Sequence, residues 1–316
     1  MTLDLALDDA QEAIVAAVSQ FCREGGAEEA SRAGGVPPRE LWSGLAELGV
    51  LGLASPEGEG GASELVAALE ALGAACFPGP LAASFFATQV LGPDERARVV
   101  RGEAFVALGE SPCLPWAPAA DLFLEIEGAH VFLARARGSV KPLETLGGEP
   151  WGEVELVRER ELAGMKRAVA VFHLSLAAYL AAAGRRLVDD ASEHARTRQQ
   201  FGHPIGDFQA VAHPLADCAI RLEAATLLAR LAGQRLDEAE ADAAAAAAAA
   251  RLSAGRAALE AAYVAHQVFG AVGATLAGPV FHVSRRIRQL VSLVPGESDA
   301  RETLLGDLGL EGRKAQ

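Results

Sequence analysis

Arg198-Gln199-Gln200-Phe201-Gly202-His203-Pro204-Ile205-Gly206-Asp207-Phe208-Gln209 is the stretch that decides how this chain is read. The pattern predicts a helix ending near Phe201-Gly202, because Gly202 suits a helix C-terminus and Pro204 blocks continuation. Asp207 is then placed to cap a new helix that starts at Phe208. The stretch sets a guanidinium, a carboxamide and an aromatic ring at one helix end. That set suits a dinucleotide: charge for a pyrophosphate, amide edges for hydrogen bonds, a ring face for packing. Local chemistry also leaves open a plain helical corner with a surface arginine, since a short motif needs structural context.

The flanks of this stretch are helical. Upstream, Leu162 to Ala183 reads as one helix that extends toward Thr197. Its apolar run from Ala168 to Ala183 is shorter than the roughly 20 residues of a membrane span and predicts a buried bundle helix. Downstream, Phe208, Val211, Leu215, Cys218 and Leu222 repeat at 3-4-3-4 spacing, a buried stripe, with Pro214 as a kink. A third helix is expected over Glu238 to Phe269, through the eight alanines 243–250, whose small side chains favour helix and permit close approach. Between about 100 and 160 the texture changes to short β-like runs at Phe105–Leu108, Leu122–Ile126, Val131–Ala134 and Val154–Val157. Val140 is a further strand candidate, and Glu127-Gly128-Ala129-His130 reads as a hairpin turn. Residues before about 95 are helical again. Asp8 or Asp9 caps a helix whose stripe includes Ile14, Ala17, Val18 and Phe21. The fold class is therefore mainly α with a small β unit. The expected units are 1–100, an N-terminal helical domain; 101–160, a shortened β domain; and 161–316, a C-terminal helical bundle.

Composition excludes several classes of function. The 316 residues are 51% hydrophobic and 22% charged, which marks a globular chain. The 28 Lys and Arg against 42 Asp and Glu give a net charge of −14, a poor basis for binding nucleic acid or anionic lipid. Met1-Thr2-Leu3-Asp4-Leu5 has no targeting pattern, and Cys22, Cys76, Cys113 and Cys218 have neither metal nor redox spacing. These features imply a cytoplasmic protein with reduced thiols and no membrane segment. No histidine pair has helical metal spacing, so no metal site is expected; His194, His203 and His213 read as surface or helix-end residues. There is no nucleophile-elbow serine and no phosphate loop ending in Lys-Ser/Thr.

The 198–209 stretch closely resembles the signature of the acyl-CoA dehydrogenase family, Arg-x-x-Phe-Gly followed by Pro-Ile and then Phe-Gln. Three other stretches agree in order: Trp42 to Gly49 leading to Gly60-Gly61, Glu70-Ala71-Leu72-Gly73 with Phe77-Pro78-Gly79-Pro80-Leu81, and Gln267-Val268-Phe269-Gly270-Ala271-Val272-Gly273-Ala274-Thr275. The resemblance covers nearly the whole chain. It implies FAD as cofactor, with Arg198 at the pyrophosphate, Gln200 bonding nearby, Phe201 packing on the cofactor and Gln209 near the adenosine. It also implies that Gln267 and Gly270 act from a neighbouring subunit, although Ala271 replaces the loop's second glycine. On their residues alone, Gln267 also reads as a helix-end cap, and Gly270 and Gly273 as turn glycines.

Desaturation of a thioester needs a carboxylate base next to Cα. The family's positions for that base fall here at Val294 or Pro295, near Phe172, and at Ala277. Glu297 and Glu302 are the nearest displaced acids and read as solvated helix-start residues. The family's Thr-Glu-x-x-x-Gly-Ser-Asp stretch is reduced to Leu108-Gly109-Glu110-Ser111-Pro112-Cys113. No catalytic residue is therefore assigned. A short β domain, a retained arginine segment and a missing base resemble one subunit of the heteromeric, α2β2 acyl-CoA dehydrogenases of actinobacteria. That resemblance implies a related partner chain carrying the catalytic Glu, an acyl-CoA substrate such as a steroid side-chain thioester, and an acceptor like electron-transfer flavoprotein. Two alternatives stay open: a self-sufficient homomer using Glu297, and a scaffold of the same fold without flavin.

Overall fold

The computed structural model describes residues 5–310. Met1 to Asp4, the start read in the sequence for a targeting pattern, and residues 311–316 lie outside the described residues. The described chain begins with six helices: α1 (Asp9–Glu24), α2 (Ala27–Ala33), α3 (Arg39–Glu47), α4 (Ala62–Ala74), α5 (Leu81–Val90) and α6 (Pro93–Val100). Asp8 caps α1 as expected. Its carboxylate accepts from the Gln11 N–H at 2.8 Å, and its own N–H donates to Gln11 Oε1 at 3.2 Å, a reciprocal box. The buried stripe of α1 is carried by Val18 and Cys22, with Ile14, Val15 and Phe21 partly covered; Ala17 is exposed.

A five-stranded sheet follows, in the order β1 (Val106–Gly109), β3 (Leu122–Glu127), β4 (His130–Leu143), β5 (Trp151–Leu162), β2 (Cys113–Pro115). β1 and β3 are parallel and the other pairs antiparallel. The Glu127–His130 pair closes the β3–β4 hairpin where the sequence predicted a turn. β4 and β5 are longer than their apolar runs suggested. Their distal halves form an exposed ribbon with cross-strand charge pairs such as Lys141–Glu153 at 3.1 Å.

The C-terminal half holds α7 (Met165–Thr197), α8 (Gln209–Asp237), α9 (Ala243–Phe269), α10 (Val280–Val291) and α11 (Glu297–Asp307). α7 is the helix the rest of the molecule is built around, packing on α9, α8, α4 and α5. By length and composition it would cross a membrane, yet 83% of its apolar window is buried within the protein. The alanine run supplies Ala243, Ala245, Ala247, Ala248 and Ala250 to the interior. α8 continues through Pro214, whose absent N–H falls in the first two turns.

The α4–α7 crossing is set by Gly73. A Cβ there would stand 2.3 Å from the Tyr179 carbonyl oxygen and 3.0 Å from the Ala182 Cβ. Gly73→Ala would gain about 1 kcal/mol of helix propensity. The obstructing atom is backbone and cannot rotate away, so overpacking of about 1–3 kcal/mol prevails. The expected outcome is a net loss of stability in urea denaturation; an unchanged or raised midpoint would contradict this packing.

Candidate functional site

α7 stops at Thr197, four residues before the expected end. Arg198 leaves the helix in an extended conformation while its N–H still donates to the His194 carbonyl at 2.9 Å. Gln199–Gln200 then pair with His203–Pro204 as a two-residue ribbon, β6 and β7. Phe201 (φ 54°) and Gly202 (φ 85°) form its turn, the double left-handed geometry that suits tight hairpins. The turn signal in the sequence thus belongs to a hairpin rather than to a helix end. The Ile205 N–H donates to the Arg198 carbonyl at 2.8 Å and closes the ribbon. Asp207 does not cap α8. Phe208 occupies the cap position without a side-chain bond, and Asp207 sits in the 3-10 turn Ile205–Asp207.

Arg198, Gln200, Phe201 and Gln209 all project from this end of the molecule. The Phe201 ring is 89% exposed and meets Phe208 edge-on at 6.1 Å. Gln200 Nε2 donates to the adjacent Gln199 carbonyl at 2.7 Å. The Arg198 guanidinium is exposed and has no partner among the described residues.

Gln267 lies in the last turn of α9, exposed, and makes no capping bond among the described residues. Gly270 ends that helix at φ 60°, with nothing within 4 Å of a would-be Cβ, so it is backbone conformation that requires glycine there. His194 of α7 stacks on Phe269 of α9, centroids 4.3 Å apart and planes 21° apart. This contact brings the Arg198 hairpin and the Gln267–Gly270 turn to one end of the bundle. The sequence reading of His194 as a plain helix-end residue missed it. Burial, then the positive charge of Arg198, holds His194 below its ordinary pKa and favours the neutral, stacking form.

Phe172 and Val294, two of the positions where the sequence places the family's base, line the same small cavity of about 20 Å³; Pro295, the other candidate, is not in its lining. Leu108, Trp116, Leu176 and Tyr179 complete its wall, and none of its lining residues is a carboxylate. Glu297, at the start of α11, is exposed and pairs with Arg301 at 2.7 Å; Glu302 and Ala277 are exposed too. Ser111, in the stretch that stands for the family's flavin-lining segment, donates its hydroxyl to Glu125, itself paired with Arg158 at 2.7 Å.

Beside the cavity lies a buried ionic cluster that sequence reasoning did not find. Arg286 of α10 pairs with Glu149 of the β4–β5 loop, and its Nε donates to the Tyr179 hydroxyl at 2.6 Å. Tyr179 in turn donates to the Phe77 carbonyl at 3.0 Å, and Gln289 donates to Glu149 at 2.8 Å. A second buried cation, Arg251, donates from Nη2 to the Leu290 and Val291 carbonyls at 3.2 and 2.8 Å, the negative end of the α10 dipole.

A family model for the acyl-CoA dehydrogenase N-terminal domain matches residues 8–93, and one for the C-terminal domain matches residues 163–298. The chain belongs to the acyl-CoA dehydrogenase family. It is 31% identical over 267 residues to acyl-CoA dehydrogenase FadE34 of Mycobacterium tuberculosis, which covers 75% of this chain but only 37% of that protein. It is 30% identical over 300 residues to FadE27 of the same organism, covering 77% of this chain and 80% of FadE27. Other curated relatives are matched over about a quarter to a half of their length. A chain of the ChsE4-ChsE5 complex from M. tuberculosis superposes with a TM-score of 0.80 at 25% identity, covering 97% of this chain and 99% of that one. The small sheet between helical ends is thus an acyl-CoA dehydrogenase fold.

The interior histidines of this acyl-CoA dehydrogenase family member make its stability acid-sensitive. Burial, then the nearby Arg251 charge, pushes His173 down to about 3, and both of its ring nitrogens are unpartnered. Burial, then neighbouring arginines, pushes His282 down to about 4. An unfolded imidazole takes its proton near 6.5, roughly its unperturbed value. Below that pH the unfolded state binds more protons than the folded one, so acidification favours unfolding. Unfolding free energy is expected to fall steadily from about pH 6.5 toward 4. His173→Leu should flatten part of that fall; equal slopes for both proteins in a denaturation series would refute the assignment.

Proposed function

We propose that this chain is the base-lacking subunit of an FAD-dependent, heteromeric acyl-CoA dehydrogenase. The observation that carries the reading is the cavity shared by Phe172 and Val294. Where α-proton abstraction calls for a carboxylate, the chain has a phenylalanine and a valine around about 20 Å³ of space. So small a space, with no carboxylate in its lining, supports a chain whose own pocket is not where the chemistry takes place. In this reading residues 1–100, 101–160 and 161–316 act as three units, and the protein works in the cytoplasm.

The exposed end of the bundle fits one part of the cofactor instead. Arg198 offers an unspent guanidinium for a pyrophosphate, and Phe201 and Gln200 flank it. Phe201 is held at φ 54°, a conformation that costs a non-glycine residue roughly 1–2 kcal/mol, while its ring stays in solvent. Strain of that kind is kept where a partner uses it. Gln209 lies on the same hairpin for the adenosine part, and Gln267 and Gly270 lie across the His194–Phe269 stack. The ring itself would sit on a related chain that carries the catalytic Glu. When bound there, the flavin supplies the hydride acceptor. This chain's residues bind and orient the dinucleotide across the interface and close it with an apolar tip.

The likeness to a chain of the ChsE4-ChsE5 complex supports an assembly of two unlike chains, read here as α2β2. In this reading the substrate is a CoA thioester with a bulky acyl part, such as a steroid side chain, and the acceptor is like electron-transfer flavoprotein. Glu297 as a base for a self-sufficient homomer has no support in the geometry, since it is exposed, paired with Arg301 and outside the cavity lining.

Arg198→Ala, made in the co-purified assembly, tests the reading. An arginine–phosphate hydrogen bond contributes roughly 1.5–3 kcal/mol, so FAD affinity should fall about tenfold or more while the assembly stays intact. An unchanged flavin affinity would remove Arg198 from the site.

A further inference from the structure

A cleft of about 580 Å³ lies between the β4–β5 loop and α10, on the side of α10 away from the Phe172 cavity. Its volume is in the range of small-molecule sites, roughly 300–1,000 Å³. The chain carries 42 acids and a net charge of −14, yet none of the residues lining this cleft is acidic. Trp151 and Phe281 form apolar walls.

The polar groups in the cleft are specific. Ser284 is 3% exposed, and its hydroxyl meets His266 Nε2 at 2.8 Å. Gln289 is 5% exposed. Its Nε2 is spent on Glu149 and its Oε1 is packed against Gly147, so its amide does not face the cleft. Arg288 is exposed at the cleft and has no partner among the described residues. The site thus asks for two things at once: an apolar body and an anionic group for Arg288.

We propose that this cleft binds a small anionic amphiphile, an apolar body carrying a carboxylate or phosphate head. The site is separate from the flavin contacts at Arg198 and Gln267, so it stands or falls independently of the shared-cofactor reading.

The probe is 8-anilino-1-naphthalenesulfonate, which has an aromatic body, an N–H and one anionic head. Its fluorescence is titrated with the purified chain and with the co-purified assembly. One saturable site is expected on both. Arg288→Glu, which reverses the charge, and Ala274→Phe, which fills the cleft, should each weaken binding about tenfold. Both positions are exposed, and thermal melting shows whether the variants fold as the parent does. Dodecanoate and dodecyl phosphate are then competed against the probe, and the better competitor identifies the head group. Absence of a saturable site, or equal binding by both variants, would overturn the proposal. Loss of the site on assembly would also overturn it, because the cleft would then be a contact between unlike chains.

Discussion

The buried pair of Arg286 and Glu149 is the constraint on which the arrangement depends. Their side chains are 4% and 6% exposed. Burying two charges costs several kcal/mol per ion, and the cost is offset only when every remaining donor and acceptor is used. Here Glu149 also receives Gln289 and the Gly79 N–H, while Arg286 also donates to Tyr179 and lies 5.0 Å from the centre of its ring. The groups come from the α4–α5 connection, the β4–β5 loop, α7 and α10. One ionic cluster therefore fixes the N-terminal helices, the sheet and the bundle in a single register. Removing either charge would leave the other uncompensated, a loss of about 3–5 kcal/mol.

That register sets the size of the neighbouring cavity. Tyr179 and Arg286 belong to the cluster and also line the space beside Phe172 and Val294. With Phe172 set edge-on against Phe86 at 6.2 Å, the space is filled by apolar side chains rather than by a base and its substrate. In the proposed reading the acyl-CoA dehydrogenase fold is kept while its interior site is not used. What stays open is the far end of α7 and α9, where the unpaired Arg198, the strained Phe201 and the Gly270 turn face outward. In the proposed reading, the ionic cluster and the cofactor contacts are thus divided along one long helix.

Much of this was legible in the sequence. Alternating apolar residues and a glycine gave the β3–β4 hairpin, and the 3-4-3-4 stripe gave the inner face of α8. The misses have physical causes. Phe201-Gly202 was read as a helix end because a glycine with positive φ serves a helix terminus and a hairpin turn equally well. Cys113–Pro115 is too short to show a period, so β2 left no signal. Arg286 drew no reading in the sequence, because an isolated arginine gives no hint of a carboxylate on a distant loop. The His194–Phe269 stack joins two residues far apart in the chain, and only the fold reveals it. The Ser284–His266 pair and the unpartnered Gln289 were hidden for the same reason. The missing carboxylates at Phe172 and Val294 could be read from the sequence, but their convergence on one small cavity could not.

The central claim is that the flavin is shared with an unlike chain rather than held by this one alone. The visible absorbance and native mass of the chain, purified alone and after co-expression with a related acyl-CoA dehydrogenase chain that retains the Glu, test this most directly. The account predicts a colourless lone chain and a flavin spectrum in a co-purified species of two unlike subunits. A flavin-loaded homomer formed by the single chain would contradict it.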